Sequence, residues 1–424
     1  MVNIFHNIYY IMKTVNPKYN ITTIQKFINT NFVKKLKLAE FEFSEQSEEF
    51  IRKLYNLLLN AETEWLQIVK PSLSNLEVVD MFSNSAYSYI PPEIRKNLES
   101  SSKLGYSSYF KINDRTINIK IIFPLESESK IRISNKQYME KANYMINRIF
   151  LWIFIAEKFA NHTCSKVINI FLYMSDHIKL LPDKGSSIDR INANTAFTTG
   201  CQNNTMIHIF REEEWFKVFI HETFHNLGLD FSNMDQSNLE SKILTLFPLK
   251  IADIRIYESY CEVWAELINI LFNAYWQTVN KKNIDKIIDR MEELMQLERV
   301  FSLFQCTKVL QNYNLTYMDI YKSSTHNPNL GKIAHYSAGT SILSYYVIKS
   351  ILFYNINHFI KWNIIQNNGY TLFFNKTQAN MMKYAGLIEE LYDLPEYILQ
   401  MEKMVQLYKD TGRFEYKTLR MSIT

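Results

Sequence analysis

Apolar residues recur every three or four positions at Phe50, Leu54, Leu57, Leu58 and Trp65, a spacing that places them on one face of a helix. The stretch from Thr22 to about Ser100 is therefore expected to be helical, with Pro91-Pro92 closing it before a short helix from Glu93. The period then shortens to two. Phe110 and Ile112, then Ile117, Ile119 and Ile121, alternate with polar residues around Asn113-Asp114-Arg115, which predicts a β-hairpin over 109–123. A long helix from Asn135 to about Ala160 follows, its middle nearly all apolar around Trp152 and Phe154, so it should be central and buried. Lys166 to Ile178 reads as a strand, the polar, Thr-rich Asn192 to Thr199 as an edge strand, and Met206 to Phe210 as a short strand. The next helix is expected to start near Arg211, with Glu212, Glu213 and Glu214 in its first turn, where acids suit the helix dipole. Residues 277–320 form one or two amphipathic helices with Ile284, Ile287, Ile288, Met291, Leu294 and Met295 on the apolar side, and the last 70 residues read as helical without a motif.

At 424 residues and 47% hydrophobic, the chain can bury a large core and suggests two or three subdomains. A net charge of +4 with scattered basic residues makes no electrostatic case for nucleic acid or an anionic membrane surface. Met1 to Asn20 has no continuous apolar core or cleavage site, so it does not read as a signal peptide. The most apolar segments, Ile149 to Ala156 and Ile342 to Tyr354, are too short or are broken by Lys349, so no membrane span is expected. Cys164, Cys201, Cys261 and Cys306 are widely spaced, which is read as free thiols in a reducing, intracellular setting.

The chemistry concentrates in Ile220 to Asp230, Ile-His-Glu-Thr-Phe-His-Asn-Leu-Gly-Leu-Asp. His221 and His225, four apart, lie one turn above each other on one helix face and can bind one tetrahedral Zn²⁺ as neighbours. Glu222 is rotated off that face, near enough to hold an attacking water and carry its proton to a leaving group. With 9 histidines in 424 residues, a His-Glu-x-x-His run arises by chance in about one such chain in a hundred. The plainer alternative is an amphipathic helix with two surface histidines, but Val218, Phe219, Phe224 and Leu227 make this helix strongly apolar. Gly228 offers its C-terminal stop. A catalytic zinc wants a third protein ligand. Glu258, Glu262 and Glu266 follow at one-turn intervals between Tyr257 and Ile270, on a helix otherwise lined by Val263, Trp264, Leu267, Ile268 and Leu271. Surface acids on an exposed face are the alternative reading.

The predicted order of strand, strand, helix, strand, edge strand, strand and motif helix resembles the upper subdomain of zincin metallopeptidases. In the metzincin branch a third histidine falls six residues after the second, where this chain has Phe231, with Asp230 one residue short of an alternative aspartate. Glu262-Val-Trp-Ala-Glu266 resembles the Glu-x-x-Ala-Glu segment of gluzincins. That resemblance implies Glu262 as the zinc ligand, with Glu266 orienting a ligand histidine and Glu258 the next candidate ligand. It also implies that an extended peptide or protein substrate pairs with the edge strand at Asn194 to Phe197. Ala334 to Gly339, with Tyr345-Tyr346, resembles the helix after the zinc site in thimet-oligopeptidase-like enzymes. By that likeness His335, Tyr336 or Tyr345 would be transition-state donors, against the plainer reading of His335 as a satisfied core histidine. The phrase from Glu213 to Glu222 is similar to the metallopeptidases of large DNA viruses.

The expectation is thus an α+β fold: an N-terminal helical region at 1–105, a zincin-like catalytic core at 106–275 and a C-terminal helical region at 276–424. Its function would be zinc-dependent peptide hydrolysis with Zn²⁺ on His221, His225 and Glu262 and with Glu222 activating water. The alternatives are an inactive protein-binding or virion-structural module of the same fold, for which only Asp230 or Glu258 offers a fourth ligand, and hydrolysis of a non-peptide amide.

Overall fold

A computed structural model of the chain describes residues 21–68, 72–76, 88–125, 134–251 and 254–424. The reading of Met1 to Asn20 lies outside the described residues. The fold is mixed α+β, with one six-stranded sheet and a larger share of helix. It divides into two compact units. One takes Asn56–Ile178 and Thr195–Leu229; the other takes Ile24–Tyr55, Lys179–Asn194 and Asp230–Thr424. The boundaries expected at 105 and 275 fall inside these segments.

The first unit is built on the sheet. The predicted hairpin forms as β2 (Lys103–Ile112) and β3 (Arg115–Pro124), turning at Asn113, whose φ of 50° lies in the left-handed region that asparagine tolerates. Inside the stretch expected to be helical, the described residues 21–36, α1 (Glu45–Gln67) and α2 (Pro92–Ser100) are helical, whereas Ser74–Leu76 instead pairs with β2 as β1. β4 (Val167–Tyr173), β5 (Ala196–Thr198) and β6 (Asn204–Ile209) complete the order β1-β2-β3-β4-β6-β5. The β3–β4 and β4–β6 pairs are parallel, and β5 is the antiparallel edge.

Alternation sorts the two faces of this sheet. Ile117, Ile119 and Ile121, Ile168, Ile170 and Leu172, and Ile207 and Ile209 are buried, and two helices pack on the sheet: α3 (Asn135–Ala156) and α4 (Trp215–Asn226). Each such buried side chain contributes about 1.5–3 kcal/mol by leaving water. α3 starts at a capping box between Ser134 and Gln137 and stops four residues before the expected Ala160. On the other face Phe171, His208 and Phe197 stack across β4, β6 and β5, with ring centroids 4.4 and 4.6 Å apart. His208 is buried, and desolvation lowers its pKa from 6.5 to about 4.

The reading of four free thiols is corrected here, because Cys164 and Cys201 form a disulfide. The parallel register aligns Val167 with Asn204. Counting three residues back along each chain brings Cys164 opposite Cys201, a juxtaposition invisible at a sequence separation of 37. Cys261 and Cys306 are not disulfide-bonded and are buried, and burial pushes the Cys306 thiol up to about 12.

The second unit is helical. α5 (Tyr257–Gln277) is buried on nearly every side and packs against α6 (Ile284–Asn312), which with the short helix Tyr317–Ile320 fulfils the one or two helices expected over 277–320. The extended segment 418–424 is buried too. Its carbonyls accept from Gln305, Lys308, Tyr346 and Lys349, and the Glu298 carboxylate accepts from the Ile423 and Thr424 amides. Among the described residues, no helix is long and apolar enough to cross a membrane.

Candidate metal centre

α4 begins four residues later than expected. Glu214 adopts φ 58°, a left-handed conformation that cannot continue a helix, so Glu212 to Glu214 precede the first turn rather than forming it. Glu212 instead meets Lys141 at 2.5 Å. The helix ends in a Schellman motif. Gly228 N–H donates to the His225 carbonyl at 3.2 Å and Leu229 N–H to the Phe224 carbonyl at 2.8 Å, with Gly228 at φ 66°.

Between these ends every residue of α4 except His225 is buried, and His225 is half-buried. Phe219, Ile220 and Phe224 bury the apolar side. Thr223 ties the helix to α3: Trp152 Nε1 donates to Thr223 Oγ1 at 2.6 Å, and Thr223 Oγ1 donates to the Ile220 carbonyl at 2.6 Å.

The i, i+4 spacing brings His221 Nε2 and His225 Nε2 to 3.2 Å, with the rings 77° from coplanar. Two nitrogens each about 2.05 Å from a tetrahedral zinc are about 3.3 Å apart. The observed separation suits a shared ion with both nitrogens bare, and equally a hydrogen bond in which one ring donates. Glu222 is 8% exposed and lies about 100° round the helix from His221, off the ligand face.

In the helical unit, α5 carries its three glutamates at 5%, 3% and 0% exposure for Glu258, Glu262 and Glu266, so they do not form a solvated surface stripe. The Glu266 carboxylate is ion-paired with the Lys349 ammonium, both buried. Asp230 is buried; it accepts from Ser232 Oγ at 3.0 Å and lies 3.6 Å from the Cys261 thiol. Among the described residues, His221, His225 and Glu258 form a group of donors that could hold a metal ion, and His225, Asp230 and Cys261 form another. Glu262 is in neither group. The signal for Glu258 was present in the sequence, in the one-turn spacing of the acids, but spacing alone does not choose among them.

Phe231, at the metzincin ligand position, sits in an aromatic cluster with Tyr260, Phe374 and Tyr384, so that position serves packing. His335 is exposed, which corrects its reading as a core histidine. Tyr336 is 5% exposed and packs on Tyr313; its hydroxyl has no hydrogen-bond partner among the described residues, and burial raises its pKa. Tyr345 is buried in the π-helical turn Leu343–Ile348. The edge strand expected over Asn192 to Thr199 is only Ala196–Thr198, so Asn194 of the substrate-pairing segment lies before it: Phe197 pairs with His208, and the Asn194 side chain accepts from Thr340 Oγ1 at 3.0 Å.

Compared with known proteins, the chain matches no protein-family model, no curated protein and no solved structure.

Proposed function

We propose that the chain is a zinc-dependent peptidase of gluzincin type. The observation that carries this reading is the 3.2 Å approach of His221 Nε2 and His225 Nε2 on one face of α4, the spacing of two ligands on one tetrahedral ion, with Glu222 between them in sequence. Glu258 is taken as the third ligand, supported by its place in the donor group with both histidines. It stands one helical turn before Glu262, which the gluzincin resemblance implied. Two imidazoles and a carboxylate are a usual donor set for catalytic zinc with an open position. A zinc bound there would supply a Lewis acid for the scissile carbonyl and lower the pKa of water.

The remaining steps belong to the chain's own residues. The Glu222 carboxylate accepts a proton from the attacking water and returns it to the leaving amine. Thr223, pinned by Trp152, holds this turn of α4 in register with α3. The edge strand Ala196–Thr198 offers a line along which an extended peptide substrate pairs. Replacing Glu222 with Gln removes the proton carrier and leaves the ligands. Peptide hydrolysis should fall by at least about 100-fold, the scale of general-base catalysis, while zinc content stays unchanged. Hydrolysis that survives in Glu222→Gln would rule this role out.

One observation favours a second reading, a structural zinc in a binding module. The donors His225, Asp230 and Cys261 include a thiol, a ligand common in closed structural sites. Cobalt substitution separates the two: a thiolate-to-cobalt charge-transfer band in the near ultraviolet supports the structural site, and its absence supports the peptidase.

A further inference from the structure

We propose that the Cys164–Cys201 disulfide is the positioning clamp for His225, and that opening it by thiol exchange weakens metal binding. This regulation rests on the metal reading above. The disulfide lies directly beneath the C-terminal stop of α4: a Cβ added to Gly228 would stand 2.9 Å from Cys164 Sγ and 3.4 Å from Cys201 Cβ. Gly228 is the residue whose N–H caps the His225 carbonyl.

The rest of this end of α4 is held from the Cys164 loop and from β5 and β6. Asn161 N–H donates to the Leu227 carbonyl at 3.3 Å and Ser165 Oγ to the Asn226 carbonyl at 2.5 Å. The Asn226 side chain meets Thr205 Oγ1 at 3.2 Å and Thr198 Oγ1 at 3.3 Å. The loop carrying Cys164 is itself fixed, because the buried Arg115 guanidinium donates to the carbonyls of Asn161, Cys164 and Ser165. The loop carrying Cys201 is attached through the Ser165 amide to the Gln202 carbonyl at 2.6 Å and through the disulfide. His225 thus ends a helix whose last turn is set by a crosslinked pair of loops.

One half of the crosslink is accessible: Cys164 is fully buried, whereas Cys201 is exposed. The thiolate of a dithiol attacks Cys201 Sγ. The bond to Cys164 breaks, and the departing Cys164 thiolate takes a proton. The second thiol of the reagent then displaces Cys201 and closes the reagent's own disulfide. Two electrons and two protons pass to the protein, leaving two cysteine thiols. The separated sulfurs need about 1.5 Å more room than the bonded pair, and Arg115 holds the backbone of the Cys164 loop, so it is the Cys201 loop that moves away and the cap of α4 that loosens.

The test uses the full chain. Zinc affinity is measured by competition with a chromogenic chelator for the oxidised protein, for Cys201→Ser, and for wild type reduced in its native state, alkylated at the exposed thiol and freed of reagent. Hydrogen exchange at residues 225–229 is followed beside it in zinc-free protein. The expected result is about a tenfold or greater loss of zinc affinity in both opened forms, as when a ligand's supporting partner is removed, with faster exchange confined to that segment. Equal affinity and equal exchange in opened and oxidised forms would overturn the inference and leave the metal reading intact. No zinc in the oxidised protein would overturn the metal reading and this regulation together.

Discussion

Lys349 and Glu266 give the sharpest stability prediction. Both side chains are buried, at 2% and 0% exposure, and the Lys349 ammonium joins the Glu266 carboxylate on α5 to the Met421 carbonyl of the C-terminal segment at 2.8 Å. Replacing Lys349 with Met keeps the volume and removes the charge, so the buried Glu266 carboxylate loses its ion pair with Lys349. Breaking a buried pair in this way costs about 3–5 kcal/mol, and the lost bond to Met421 adds about 1 kcal/mol. The sum, about 4–6 kcal/mol, is a large part of the 5–15 kcal/mol that holds a typical domain folded. At about 2–4 °C per kcal/mol for a unit of this size, the melting temperature of the helical unit should drop by roughly 8 °C or more.

The double variant Lys349→Met/Glu266→Gln also removes the carboxylate's charge and should recover about half of that loss, because a neutral amide costs less to bury than a carboxylate. Calorimetric melting of the wild type, the single variant and the double variant makes the comparison. A single variant within 1 kcal/mol of wild type, or a double variant no more stable than the single, would refute the assignment of this ion pair as a structural tie.

Two further outcomes follow from buried polar groups in the sheet unit. His208 has its pKa depressed from 6.5 to about 4 by desolvation, so its stabilising contribution is fully present above pH 6.5 and is lost as pH falls through about 4. Lowering this pKa from 6.5 to about 4 corresponds to about 3 kcal/mol. His208→Phe, which keeps the stack with Phe171 and Phe197, should therefore lose less stability between pH 7 and pH 4 than wild type when both are unfolded in urea without zinc; parallel loss would contradict the burial argument. Trp152→Phe removes the bond to Thr223 and part of a fully buried ring, and should cost about 2 kcal/mol in the same assay, a cost below 0.5 kcal/mol being the contrary result.

How much of this was legible beforehand depends on whether the signal was local. The hairpin turning at Asn113, the helix from Asn135, β4 and β6 rest on periodicity within a dozen residues and appear in the expected order, although β2 starts at Lys103 rather than Tyr109 and β4 stops at Tyr173 rather than Ile178. The start of α4 did not, because the left-handed turn at Glu214 arises where the chain leaves β6, and acids in a row look the same before a helix as within one. β1 is three residues long and is made a strand only by its pairing to β2. In the candidate site, His221, Glu222 and His225 were visible because their relation is fixed by one helix. The choice of Glu258 over Glu262, the disulfide and Arg115 were not, because each depends on register or packing between segments tens of residues apart.

The most direct measurement of the central claim is the metal content of purified protein by elemental analysis, for wild type beside His225→Ala, Glu258→Ala and Glu222→Gln. About one zinc per chain is expected in wild type and Glu222→Gln, with loss in both ligand variants. Zinc absent from wild type, or retained undiminished in His225→Ala, would contradict it.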